Sequence, residues 1–158
     1  MAVTLNASTS AGFIQTADTS GQLVIQSNGT NELTVLSTGV TVADNLLFNS
    51  GYGSAAIAYG CRAWVNFNGV GTVAIRASGN VTSITDNGTG DYTVNLTNSM
   101  PDINYAVTGT ASRGHLVTNN PGGFGLRTQP TNSAIRVCTS NGSGTIEDSI
   151  QVDISIFR

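Results

Sequence analysis

The chain has 158 residues, a mass of 16.2 kDa and a formal net charge of −3. Only 9% of its residues are charged, against roughly a quarter in an average soluble domain, and the six basic residues are all arginine. A pI near 4.7 with scattered arginines gives no electrostatic footprint for nucleic acid, and no apolar run approaches the roughly 18 residues that span a bilayer.

The opening Met1-Ala2-Val3-Thr4-Leu5-Asn6 has neither a basic region nor a continuous apolar one, so no signal peptide is expected. Disorder is not expected either, because 39% of residues are hydrophobic and disorder pairs low hydrophobicity with high net charge. Gly, Ser, Thr and Asn together make 72 of the 158 residues. Thr and Val suit pleated strands, while Gly and Asn suit turns. Helices are not expected: there are two Glu and no Lys, and Gly inside a helix costs about 1 kcal/mol relative to Ala.

Residues 1–50 read as short β segments: Leu23-Val24-Ile25, Leu33-Thr34-Val35-Leu36 and Val40-Thr41-Val42. Ser27-Asn28-Gly29-Thr30-Asn31 and Ser37-Thr38-Gly39 separate them. A segment this thin cannot bury enough surface alone. Two solutions are open: copies of the chain winding about a shared axis, or an arm that orders only on its neighbours. The apolar residues that would carry trimerisation or anchoring are Phe13, Ile14, Leu23, Ile25, Leu33 and Val35.

The stretch from Asn45 to Ser54 reads as a hinge, and residues 51–158 as one β-rich domain. Ala63–Phe67 and Thr72–Arg76 form a predicted hairpin about Asn68-Gly69, with Trp64 assigned to the core. Val81–Thr85 and Tyr92–Leu96 follow, joined by Asp86-Asn87-Gly88-Thr89-Gly90-Asp91. Tyr105–Thr110, Ala134–Cys138 and Ile150–Phe157 complete the set. The expected fold is therefore all-β, an extended N-terminal β arm followed by a β-sandwich or jelly-roll-like knob. Ser112–Asn132 reads as a long loop, with Phe124 placed outside the core, and long loops are usually functional or mobile. Its Arg113, His115, Asn120, Phe124 and Arg127 are the candidate contact residues for a partner, since aromatic rings stack on sugars and arginine pairs with acidic groups.

No catalytic constellation is legible, so the chain is not expected to be an enzyme, and no cofactor is expected. The single His115 has no companion metal or nucleophile motif, and an exposed position is favoured over a ligand on a threefold axis. Cys61 and Cys138 sit in apolar strands and read as buried free thiols. Asp86 and Asp91 read as turn-capping carboxylates rather than a glycosidase pair or a calcium loop, because the loop lacks the bidentate Glu. The Pro121–Gly125 stretch has no following Lys and is not a phosphate loop.

Three stretches carry a resemblance: Ala63–Gly69 with Ile75–Ser78, Asn80–Leu96 with its Ser83-Ile84-Thr85-Asp86-Asn87-Gly88-Thr89-Gly90-Asp91-Tyr92-Thr93-Val94 core, and Met100–Tyr105. Over about residues 45–105 the chain resembles the distal domain of tailed-bacteriophage fibre proteins. Leu5–Gly12 and Ala17–Leu23 are similar to segments of short phage virion proteins. The resemblance implies a homotrimeric virion structural protein. Its knob would bind a host surface glycan, and its arm would dock on other virion proteins, without nucleic acid or membrane. Fibres usually carry a longer docking region and shaft than the roughly 50 residues here, which keeps open a head spike or a capsid decoration protein. A depolymerase or a free-standing lectin is not favoured.

Overall fold

The computed structural model describes residues 22–43, 45–48, 53–113 and 122–158. The chain forms two units, Met1–Ala58 and Tyr59–Arg158. The division falls later than the break read near residue 50, because Ala56–Ile57 pairs with Leu47–Phe48.

In the first unit, β1 (Leu23–Ser27), β2 (Thr30–Leu36) and β3 (Gly39–Val42) form an antiparallel three-stranded sheet. Asn28 and Gly29 join β1 to β2 with φ of 49° and 78°. Asn and Gly accept this left-handed pair of angles, which matches the twist of a two-residue hairpin. The short strands β4 (Leu47–Phe48) and β5 (Ala56–Ile57) form a separate pair. No described residue before Ala63 is buried.

The second unit is an all-antiparallel β-sandwich. Its strands are β6 (Cys61–Asn68), β7 (Ala74–Gly79), β8 (Val81–Gly88), β9 (Asp91–Leu96), β10 (Ala106–Ser112), β11 (Gly123–Leu126), β12 (Ala134–Ser140) and β13 (Gln151–Phe157). One sheet has the order β10-β13-β6-β7, the other β11-β12-β9-β8. The strand order is a Greek key: β13 returns beside β10 after β11 and β12 have been laid down in the facing sheet.

Alternation fixes which side chains meet. Ala63, Val65 and Phe67 of β6 and Val152, Ile154 and Ile156 of β13 point inward. They meet Tyr92, Val94 and Leu96 of β9 and Ile135 and Val137 of β12. Phe67 and Tyr92 cross between the sheets edge to face, with centroids 5.2 Å apart, a geometry that suits ring quadrupoles. A single residue, Asn80, carries the chain from β7 to β8 at φ 59°. Its side chain holds that corner by bonding Arg62 O, Asn98 O and Asn98 N.

Three sequence assignments change. Trp64 is 43% exposed rather than in the core, because it has the parity of Asn66 while Ala63, Val65 and Phe67 take the inner face. Phe124 belongs to a strand, β11, pairs with Thr139 and packs half-buried against the core. Cys61 is free but exposed, and Cys138 is free and half-buried on the outer face of the other sheet.

Candidate functional site

Antiparallel pairing gathers four connections at one end of the sandwich: β6 to β7, β8 to β9, β10 to β11, and β12 to β13. The chain enters the sandwich at the start of β6, at the opposite end. Of the described residues read as receptor contacts, Arg113 directly follows β10 and Phe124 lies on β11, both at the gathered end.

The gathered end is built around Tyr92. Its phenol donates to Asp148 Oδ1 at 2.8 Å, with Gly69 O at 3.0 Å. The same carboxylate oxygen accepts from Gly90 N at 2.6 Å. Asp148 therefore ties the β8–β9 turn to the β12–β13 connection. Gly69 N donates to Ser149 O, which ties in the β6–β7 turn as well. Gly69 is required here, because a Cβ would lie 2.5 Å from the Tyr92 hydroxyl. Burial, followed by the Asp148 carboxylate, pushes the Tyr92 phenol well above its ordinary value.

Glu147 forms a second centre. It accepts from Arg113 Nε at 3.0 Å and from the same guanidinium's terminal nitrogen. Asn141 Nδ2 reaches its other oxygen. Asn141 Oδ1 in turn accepts from Ser143 N and Thr145 N, which shapes the loop that follows β12.

On the outer face of the β11-β12-β9-β8 sheet, Asp91 accepts from Arg136 Nε and a terminal nitrogen, both at 2.8 Å. Arg127 Nε stands 3.4 Å from the same carboxylate. Asp91 is 7% exposed, and its bidentate bond to Arg136 holds its carboxyl below the usual range. Two guanidinium groups thus share one carboxylate, leaving a net positive charge on this flank. Gly123 and Gly125 occupy the outward positions of β11 beside Ser140 and Cys138, so the strip next to Arg127 is bare backbone.

Of the sequence candidates, Arg113 and Arg127 are each committed to a carboxylate. Phe124 faces inward over Gly109, where a Cβ would lie 2.7 Å from its Cζ. It is half-buried there, packed against the core, so only part of the ring stays open to a partner. His115 and Asn120 lie outside the described residues, as do Phe13 and Ile14. Asp86 caps its turn by accepting from Gly88 N. Sequence reasoning missed Arg136, Glu147 and Asp148 as the partners that organise this end, since each lies far along the chain from the group it holds. Among the described residues no cluster of three or more His, Cys, Asp or Glu is placed to hold a metal ion.

The first unit offers a different surface. Leu23 pairs with Val35, and Ile25 with Leu33, so the four described trimerisation candidates share one face of the β1–β2 hairpin. Val40 pairs with Val35 and Val42 with Leu33, extending that face to six aliphatic side chains. Ile25 is 53% exposed and Val40 is 62% exposed. No family model matches the chain, and comparison with curated proteins and with solved structures likewise gives no match.

Proposed function

We propose that the chain is a structural protein of a tailed-bacteriophage virion, a homotrimeric fibre or spike. Its first unit assembles with its own copies and docks on other virion proteins. Its sandwich acts as a knob that binds a host cell-surface glycan. Its place of residence is the virion.

The observation that carries the assembly part is the six-residue aliphatic face of β1, β2 and β3, with no residue buried among those described in this unit. A three-stranded sheet needs a covered hydrophobic face to be stable. Three copies about an axis cover three such faces at once, a closed arrangement that leaves no further sticky surface. The near absence of charge favours this solution, because every charge facing the axis would meet its own copies; the β1–β3 strands carry a single ionisable side chain, Glu32. The knob part is supported by the strand ends gathered opposite the start of β6, and by avidity, since three weak sites on one particle act together.

Light scattering of the full chain tests the assembly: a mass three times 16.2 kDa is expected, and a monomer at micromolar concentration refutes it. Imaging of the whole virion by cryo-electron microscopy tests the location. A few dozen copies on tail or spike positions are expected. Hundreds of copies spread over the head would establish capsid decoration instead.

A further inference from the structure

The outer face of the β10-β13-β6-β7 sheet carries a feature that the knob's gathered end does not use. Pairing aligns Thr108, Ser155, Trp64 and Gly79 in one row across all four strands. The next row is Thr110, Asp153, Asn66 and Ala77. Trp64 is the only tryptophan in the chain, and it stands 43% exposed in the middle of this face. Its indole lies over Gly79, where a Cβ would come 2.5 Å from Nε1. The bare glycine therefore lets the ring settle onto the sheet instead of standing free in water.

Beside the ring the face offers small hydrogen-bonding groups. Asp153 is held by Asn66 through one oxygen and by Gln151 and Thr110 through the other. All three partners are neutral, so the carboxylate is fixed as an acceptor with no arginine upon it. Ser155 and Thr108 complete a polar strip in the row of Trp64, on the side away from Gly79. Phe157 follows Ser155 by two residues, has the same parity and is exposed.

We propose that this face binds a neutral glycan, with Trp64 as the stacking platform and the Asn66–Asp153 row as the hydroxyl reader. A pyranose presents an apolar C–H face and a rim of hydroxyls, and it needs a π surface next to fixed donors and acceptors. Charge favours a neutral sugar: the two rows hold one carboxylate and no basic side chain, and the exposed Arg62, two residues before Trp64 on β6, balances that carboxylate, so the face carries no net charge to draw an acidic polymer. A second copy of the chain is the competing occupant, but it would demand a continuous apolar face, and the row on either side of Trp64 is Ser155 and a glycine. The inference rests on the reading of the sandwich as a glycan-binding knob, and it moves that binding from the gathered end to the flank.

Because Trp64 is the sole tryptophan, its fluorescence reports this face alone. The full chain is titrated with dextran, galactomannan and arabinogalactan as neutral probes, and with polygalacturonate as the acidic one. At least one neutral polymer is expected to halve acrylamide quenching and to retard the protein in an affinity gel. Trp64→Ala and Thr108→Arg are each expected to weaken retardation about tenfold, and Trp64→Phe about threefold. Thr108 is exposed on an edge strand, so its variant tests the face even if Trp64→Ala fails to fold. Three results overturn the proposal: no protection by any neutral polymer, protection by polygalacturonate alone, or a drop in assembly mass in Trp64→Ala and Thr108→Arg. Competition with phage adsorption separates this from the virion reading. A chain that blocks adsorption equally well with or without Trp64 removes the platform and leaves the fibre. A chain that binds a neutral polymer through Trp64 but does not compete removes the fibre and leaves the platform.

Discussion

Gly109 of β10 and Phe124 of β11 meet across the edge of the sandwich with no room for a side chain between them. A Cβ on Gly109 would lie 2.7 Å from Phe124 Cζ and 2.7 Å from the Asp153 carbonyl oxygen. Phe124→Ala is therefore expected to lower stability by about 2–3 kcal/mol, and Gly109→Val by about 1–3 kcal/mol through overpacking. Urea denaturation checks both. A Phe124→Ala protein of unchanged stability would place the ring back on the surface.

Asp91 gives the sandwich an acid-sensitive bond. Its carboxyl is depressed chiefly by the Arg136 hydrogen bond. Its contribution is fully present above the ordinary carboxylate value near 4 and is lost as pH falls through the depressed one. Asp91→Asn is expected to cost roughly 1–2 kcal/mol at neutral pH, and the gap to the parent protein should close below about pH 4. Denaturation midpoints measured from pH 7 to 2 decide the matter; a gap independent of pH would remove the ion pair as its cause.

Tyr92 works in the opposite pH range. Burial and Asp148 raise its phenol, so the folded state keeps a proton that the unfolded state releases above about pH 10. Stability should therefore fall as pH rises beyond that point, and Tyr92→Phe should flatten the fall. At neutral pH the same variant strips a donor from Asp148 and is expected to cost about 1–2 kcal/mol. Alkaline unfolding followed by tyrosinate absorbance tests the slope.

The aliphatic face of the first unit is expected to govern assembly without touching the knob. Leu33→Asp with Val35→Asp puts two charges per chain onto that face. The pair should convert a trimer to monomers in light scattering. The melting of the sandwich should stay in place, because every described residue of its core lies at Ala63 or beyond. A lowered sandwich transition would show that the two units depend on each other.

The strands were legible where alternation is spelled out in side chains. Tyr92–Leu96 and Ile150–Phe157 could be read directly, and Asn68-Gly69 marks the expected connection between β6 and β7. β11 was hidden because Gly123 and Gly125 supply no side chain to alternate with Phe124. Trp64 misled through its size, although Asn66 with the same parity already pointed to the outer face. The site was less legible than the fold. Arg136 lies 45 residues from Asp91, and Asp148 lies 56 from Tyr92. Such partners are chosen by Greek-key pairing, and no local pattern announces which carboxylate a given arginine will meet.

That pairing also sets an order in time. β13 lies in the interior of its sheet, between β10 and β6, yet it is made after every other strand of the sandwich. While the ribosome is still upstream of residue 151, β6 and β10 stand as unpaired edges with their inner faces open. Hairpins such as β8–β9 can form early, but closure waits for the strand that joins first to fifth. Long-range closure of this kind is slow and leaves edges exposed to aggregation. A nascent sandwich is thus a clasp held open until its final strand arrives, and a chain cut short before Gln151 would lose its keystone rather than its tail.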